Sequence, residues 1–301
     1  MFGLQAALGV GGMFTAAAAV ASAAASLHRA PMAVHGVEIA GLRFTYPMLN
    51  LAAAVLLLLA ALGVAVMTIA LRASWRQRRA YVSFMRQMGI LGPLEGHPSV
   101  TVIEDPRPQA FCAGYLRPAV YVSQRTLELL SDTELQAVLA HEHHHRHVRD
   151  PLRFAFARVL SQALFFLPVL RALRDRDGEL AELTADDAAV RASSGDKGPL
   201  ASALLLFEAS GPPQVAGISP ERVDCLLGQP VQWRLPSWLI ATSLLGLSSV
   251  IVLLWRTSEI AAAHATLNLP ILSSQPCLML LTLLPLAMCM RMLMSRVPSA
   301  A

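Results

Sequence analysis

Two uncharged stretches near the amino terminus, 2–27 (FGLQAALGVGGMFTAAAAVASAAASL) and 48–71 (MLNLAAAVLLLLAALGVAVMTIAL), are each long enough to cross a bilayer as a helix. Lipid offers the backbone no hydrogen bonds, so runs of this kind fold only as helices, and the small residues of the first allow close packing against a neighbour. Two further runs, 235–255 and 270–290, have the same character. The composition agrees: 55% of residues are hydrophobic, 15% are charged and the mean hydropathy is +0.51, more apolar than a globular core requires.

Charge sets the expected topology. The second run is followed by Arg72, Arg76, Arg78, Arg79 and Arg86, and the fourth by Arg291 and Arg296. By the positive-inside rule these ends are cytoplasmic, which places both termini and the segment between the two helix pairs in the cytosol. The expected domains are an N-terminal transmembrane hairpin (1–72, helices about 2–27 and 48–71), a cytosolic domain (73–234) and a C-terminal transmembrane hairpin (235–301, helices about 235–255 and 270–290). The outer loops, 28–45 and 256–269, are too short for a folded sensor.

The formal net charge of +4 arises from 24 basic against 20 acidic residues, with the arginines beside apolar runs. They read as topology signals, so the lipid bilayer is an expected partner and nucleic acid is not a direct one. A cleaved signal peptide is disfavoured, because no Lys or Arg precedes the first run and the run is too long. The four cysteines show no C-x-x-C spacing and read as ordinary thiols. Segment 154–173 is apolar but contains Arg158 and Gln162; a buried or membrane-surface helix packed on the spans is favoured over a fifth crossing.

Within the cytosolic domain, 131–150 reads SDTELQAVLAHEHHHRHVRD. Ser131 followed by Glu134 has the form of a capping box, and Leu135, Val138 and Leu139 give an apolar stripe at helical spacing. On that helix His141 and His145 of H-E-x-x-H lie one turn apart on one face, able to reach one cation, with Glu142 beside the water the cation holds. His143 and His147 form a second i, i+4 pair turned away from it. The bland alternative is a solvated, histidine-rich face. Thr101–Glu104 and Ala119–Ser123 read as short strands, the second placed to hold an extended peptide by edge pairing or to serve only as a structural hairpin.

A catalytic zinc normally has three protein ligands and an open position. Downstream, 178–189 (GELAELTADDAA) reads as helical, with Glu182 and Asp186 on one face. Glu182 is a candidate third ligand, with Glu179 its rival, and Asp186 a candidate acceptor for the ring N–H of a ligand histidine.

The segments AFCAGYLRPAVYVS, LSDTELQAVLAHEHHHRHVRDPLR and ELAELTADDAAV together resemble the membrane metallopeptidases typified by the antirepressor proteases that relieve beta-lactamase repression, the fifty-sixth metallopeptidase family. Related patterns occur in the HtpX-like and CAAX-protease group. The resemblance implies His141, His145 and Glu182 as Zn2+ ligands, Glu142 as the catalytic base and Asp186 as the motif's aspartate. Asp150-Pro151-Leu152 also matches the family's pattern. The antirepressor proteases carry an extracellular penicillin-binding sensor after their last membrane helix, and this sequence is expected to lack it.

The expected fold is a mostly α membrane protein with four transmembrane helices around a cytosolic zincin-like metallopeptidase domain containing a small β-sheet. The expected activity is zinc-dependent hydrolysis of a protein or peptide on the cytosolic side of the cell membrane, with a transcriptional repressor the substrate that the antirepressor resemblance implies. The alternatives are an HtpX-like quality-control protease and a non-hydrolytic membrane regulator that binds a partner through the zinc domain. Desaturase-type histidine boxes and a di-iron carboxylate bundle are disfavoured, because each lacks its second half.

Overall fold

The computed structural model describes residues 1–29, 34–39, 42–47, 51–210, 220–226 and 237–264. The order is α1 (Phe2–Arg29), β1 (Val34–Ile39), β2 (Leu42–Pro47), α2 (Leu51–Gln87), β3 (Gly89–Leu94), β4 (His97–Glu104), β5 (Ala110–Ala113), β6 (Ala119–Ser123), α3 (Gln124–Leu129), α4 (Asp132–Val148), α5 (Asp150–Ala163), α6 (Val169–Ala192), α7 (Gly198–Ser210), α8 (Pro220–Leu226) and α9 (Ser237–His264). The chain divides into two compact units, 1–20 with 59–254 and 21–58 with 255–301. The second contains an antiparallel hairpin, β1 on β2, running from Val34 opposite Pro47 to Ile39 opposite Leu42. The remaining description concerns the first unit.

Among the described residues, three helices are long and apolar enough to cross a membrane: Phe2–Ala25, Ala54–Gln87 and Ser237–Thr257. They correspond to the first three expected spans; the fourth, 270–290, lies outside the described residues, as does most of the 211–232 connection. α2 does not end at the expected boundary near residue 72. It continues through the arginine cluster to Gln87, because RASWRQRRAYVSFMRQ contains no Gly or Pro to break it.

Segment 154–173 is not one helix. α5 ends at Ala163, the chain turns through 164–168, and α6 begins at Val169 after Pro168, which lacks the N–H that a helix interior needs. The turn packs on the first two helices: Leu164, Leu167, Val169, Leu170 and Leu173 form one core with Leu8 and Ala16 of α1 and Val66 and Ala70 of α2. Glycine makes that approach possible. A Cβ on Gly9 would collide with Leu160, one on Gly12 would come within 2.8 Å of Leu164, and one on Gly63 would meet the Ala16 carbonyl oxygen. Gln5, fully buried in α1, donates from Nε2 to the Leu170 carbonyl at 3.2 Å.

The sheet is larger than the two strands legible in the sequence. Four strands run in the order β3-β4-β6-β5, with β4 parallel to β6 and the other pairs antiparallel. β6, the strand expected to offer a free edge, is interior; β5 is the edge. α4 lies against this sheet, with Leu139 packed on Val100, Val120 and Val122. Val138 meets Leu130 and Ala203, and Ala137 meets Ala189 and Leu200. The apolar stripe of α4 is therefore surrounded on three sides, which fixes the direction of its histidines.

Candidate metal centre

α4 is held at both ends. The Ser131 N–H donates to Glu134 Oε2 at 2.8 Å while Glu134 N–H donates to Ser131 Oγ, completing the capping box, and Ser202 Oγ anchors the same carboxylate at 2.5 Å. At the other end Arg149 adopts a left-handed conformation (φ 57°, ψ 41°) and serves as both C-cap of α4 and N-cap of α5. This abrupt turn starts α5 at Asp150 and points that carboxylate back at α4.

His141 and His145, both buried, face α6 across the interface. Their Nε2 atoms are 3.1 Å apart, and each lies 3.6 Å from an oxygen of Glu182. The ligand atoms of the three residues all fall within 4.8 Å of one another. Glu179, the rival, turns to the surface and pairs with Arg176 at 2.7 Å.

The other ring nitrogens identify the tautomers. His145 Nδ1 donates to Asp150 Oδ2 at 2.8 Å; that carboxylate is held in turn by Arg153 at 2.7 Å, which also reaches Asp177 at 3.2 Å. His141 Nδ1 lies 2.9 Å from Asp186 Oδ1, an ion-pair contact whose alignment falls short of a hydrogen bond. Protons on both Nδ1 atoms leave two Nε2 lone pairs and a carboxylate converging on one point. Without a cation such an arrangement is repulsive. Two nitrogens at ~2.0–2.1 Å from a tetrahedral Zn2+ lie roughly 3.3–3.4 Å apart, so the donor set and spacing fit that ion.

Charge within the site is closely balanced. Burial pulls the His141 pKa down, but Asp186, Glu182 and Glu142 outweigh it and raise the value to about 9, so without metal a proton takes the place of the cation. Burial pushes Glu142 up, opposed by His141 and His145 and by the Cys112 backbone N–H that its carboxylate accepts. Burial also acts upward on Glu182 and Asp186, yet His141 and Arg222 hold both below the ordinary carboxylate range. Arg222 grips Asp186 through Nε at 2.8 Å and a terminal nitrogen at 2.6 Å, and reaches Glu182 at 3.1 Å.

These groups open into a cavity of about 420 Å³. One wall is the free edge strand, Ala110 to Cys112; another is apolar, formed by Val138, Leu200, Leu204 and Phe207. His143 and His147 line a different cleft, with Arg117, Arg146 and Arg149. The structure brings His141, Glu142, His145, Glu182 and Asp186 to one place, and leaves the rival Glu179 outside it. Asp150 was noted only as part of the Asp150-Pro151-Leu152 pattern, without a role; missed were Arg153, one residue beyond that pattern, and Arg222, 36 residues beyond Asp186 in a short helix that carries no motif.

Residues 70–191 match the model of peptidase family M48. That stretch, under half of the chain, carries His141, Glu142, His145, Glu182 and Asp186 and stops before Arg222, and it supports a metallopeptidase. The match is to M48, and the antirepressor likeness rests on the motifs alone. No curated protein and no solved structure matched the chain.

Proposed function

We propose that the protein is an integral-membrane zinc endopeptidase whose catalytic domain faces the cytosol. The observation that carries this reading is the convergence of two lone-pair nitrogens and one carboxylate beside a half-buried glutamate, the His2Glu donor set of catalytic zinc sites. His141, His145 and Glu182 hold the ion, with Asp186 and Asp150 fixing the two imidazoles. Bound zinc supplies Lewis acidity that acidifies water and polarises the scissile carbonyl. Glu142 takes the proton of the attacking water and delivers it to the departing amine, so one water and one peptide bond become a carboxylate and an amine. The Cys112 N–H keeps the Glu142 carboxylate aimed at the cavity.

The peptide lies along β5, which has no second strand partner among the described residues and so offers the main-chain groups not taken by Glu142 beside the metal. Leu200, Leu204 and Phe207 receive an apolar side chain. The antirepressor resemblance points to a repressor as substrate. A second reading, cleavage of a membrane protein, is favoured by a cleft of about 550 Å³ that shares Pro151 and Phe154 with the metal cavity and extends to Gln77 on α2.

The test is zinc content of the detergent-purified protein, alongside cleavage of casein or a membrane substrate. Glu182→Ala should lose the metal while Glu179→Ala keeps it. Glu142→Gln should keep zinc and lose roughly 10²–10⁴-fold in activity. Absence of zinc under metal-replete conditions would instead favour a non-hydrolytic regulator that binds a partner through the same domain.

A further inference from the structure

The turn between α5 and α6 presents an unusual surface. Leu164 and Leu167 are buried against α1 and α2, whereas Phe165 and Phe166 are 48% and 37% exposed, with their rings edge to face at 5.6 Å. Two exposed phenylalanines at the tip of a helical hairpin are costly in water.

Their level relative to the spans follows from helix contacts. α1 and α2 cross at Ala16 and Gly63, while Leu164 touches α1 at Gly12. Four residues back along α1 corresponds to four residues forward along the antiparallel α2, so Leu164 lies level with residue 67. Arg72, the first charge after the apolar run, is five residues further. At 1.5 Å per residue the tip therefore sits ~8 Å to the lipid side of Arg72, the depth at which amphipathic elements bury their apolar face.

Two more features agree. Part of the turn's backbone is paired locally: Leu164 N–H bonds the Leu160 carbonyl at 2.9 Å, Leu167 N–H bonds Leu164 at 2.9 Å, Leu170 N–H bonds Leu167 at 3.1 Å, and Pro168 has no N–H to satisfy. Each such pairing lowers the cost of placing irregular backbone at an apolar boundary. The polar groups flank the tip: Arg158 is exposed on α5 and Arg171 on α6, and Arg76 of α2 donates to Gln162 at 3.4 Å. These arginines have stems long enough to carry their charge to the headgroups.

We propose that residues 164–168 form a re-entrant contact with the bilayer, inserting Phe165 and Phe166 into the acyl boundary of the leaflet next to Arg72. The occupant of this surface is lipid, because the patch continues the apolar faces of α1 and α2 on which the turn is packed. The contact is independent of the metal chemistry, but it joins the two helices that begin with Asp150 and carry Glu182.

The experiment uses the full-length protein in phosphatidylcholine–phosphatidylglycerol vesicles, with p-benzoylphenylalanine placed singly at Phe165 or Phe166. Phe14, 76% exposed on α1, is the lipid-facing control, and Leu116, 80% exposed in the β5–β6 turn, is the aqueous one. Irradiation should give lipid adducts at Phe165 and Phe166 within about threefold of Phe14 and at least about tenfold above Leu116, as insertion at acyl depth requires. Adduct yields as low as at Leu116 would overturn the proposal, and so would a protein–protein crosslink in place of the lipid adduct.

Discussion

α4 carries two histidine pairs at the same i, i+4 spacing, and their surroundings differ completely. His141 and His145 face Glu182, Asp186 and Asp150, while His143 and His147 face Arg117, Arg146 and Arg149. Around the first pair, carboxylates outweigh burial and hold His141 in its protonated form until a cation displaces the proton. Around the second, burial together with Arg146 and His97 holds His143 below the usual histidine value. Spacing brings two imidazoles within reach of one ion. The sign of the neighbouring charge decides whether an ion would stay.

The largest effect expected from this difference is on metal stoichiometry. His141→Ala or His145→Ala should reduce zinc from about one per chain to near none, because a structural donor is lost outright. The double variant His143→Ala/His147→Ala should leave it unchanged, and wild type in modest zinc excess should retain one tight ion by elemental analysis. A second tight ion would show that spacing alone suffices.

Next come the residues that hold the first pair in place. Asp150→Asn and Asp186→Asn should each weaken zinc by roughly 10–100-fold in competition with a chromophoric chelator, leaving the helical circular dichroism unchanged. Smaller still is the effect of Arg149, a cation of the second face in left-handed backbone. Arg149→Gly should raise stability by about 0.5–1 kcal/mol in thermal unfolding, since glycine adopts that conformation without a Cβ penalty.

The smallest change belongs to the cap beneath both faces. Hydrogen bonds from Ser202 and Ser131 hold Glu134 below its ordinary value of 4.5. Its contribution is therefore present above that pH and is lost as pH falls through the lower folded value. Glu134→Gln should flatten the acid limb of the unfolding curve and cost at most about 0.5 kcal/mol near neutrality.

Much of the site was legible because helix periodicity is local. The capping box, the direction of His141 and His145 and the shared face of Glu182 and Asp186 all follow from 3.6 residues per turn. Helix periodicity alone could not choose between Glu182 and Glu179, which are three residues apart, and only the motif resemblance pointed to Glu182; the physical choice depends on how α6 rolls against α4, with Ala181, Ala185 and Ala189 buried. Arg222 was invisible because its bond to Asp186 spans 36 residues. The sheet was read as two strands because the short β5 and the Gly- and Pro-containing β3 carry little alternation, and the parallel pairing of β4 with β6 is a tertiary event. The apolar run 154–173 was read from its hydropathy as one helix, although Pro168 within it was the available sign of the break.

The single residue between α4 and α5 also makes chain length matter. Arg149 caps both helices, so the junction has no slack in which an insertion or deletion could be absorbed. One residue more or fewer would turn α5 by about 100° relative to α4 and carry Asp150 off His145. Substitutions here change an affinity by degrees, whereas a one-codon change in length would disconnect the metal centre from the helix that steadies it.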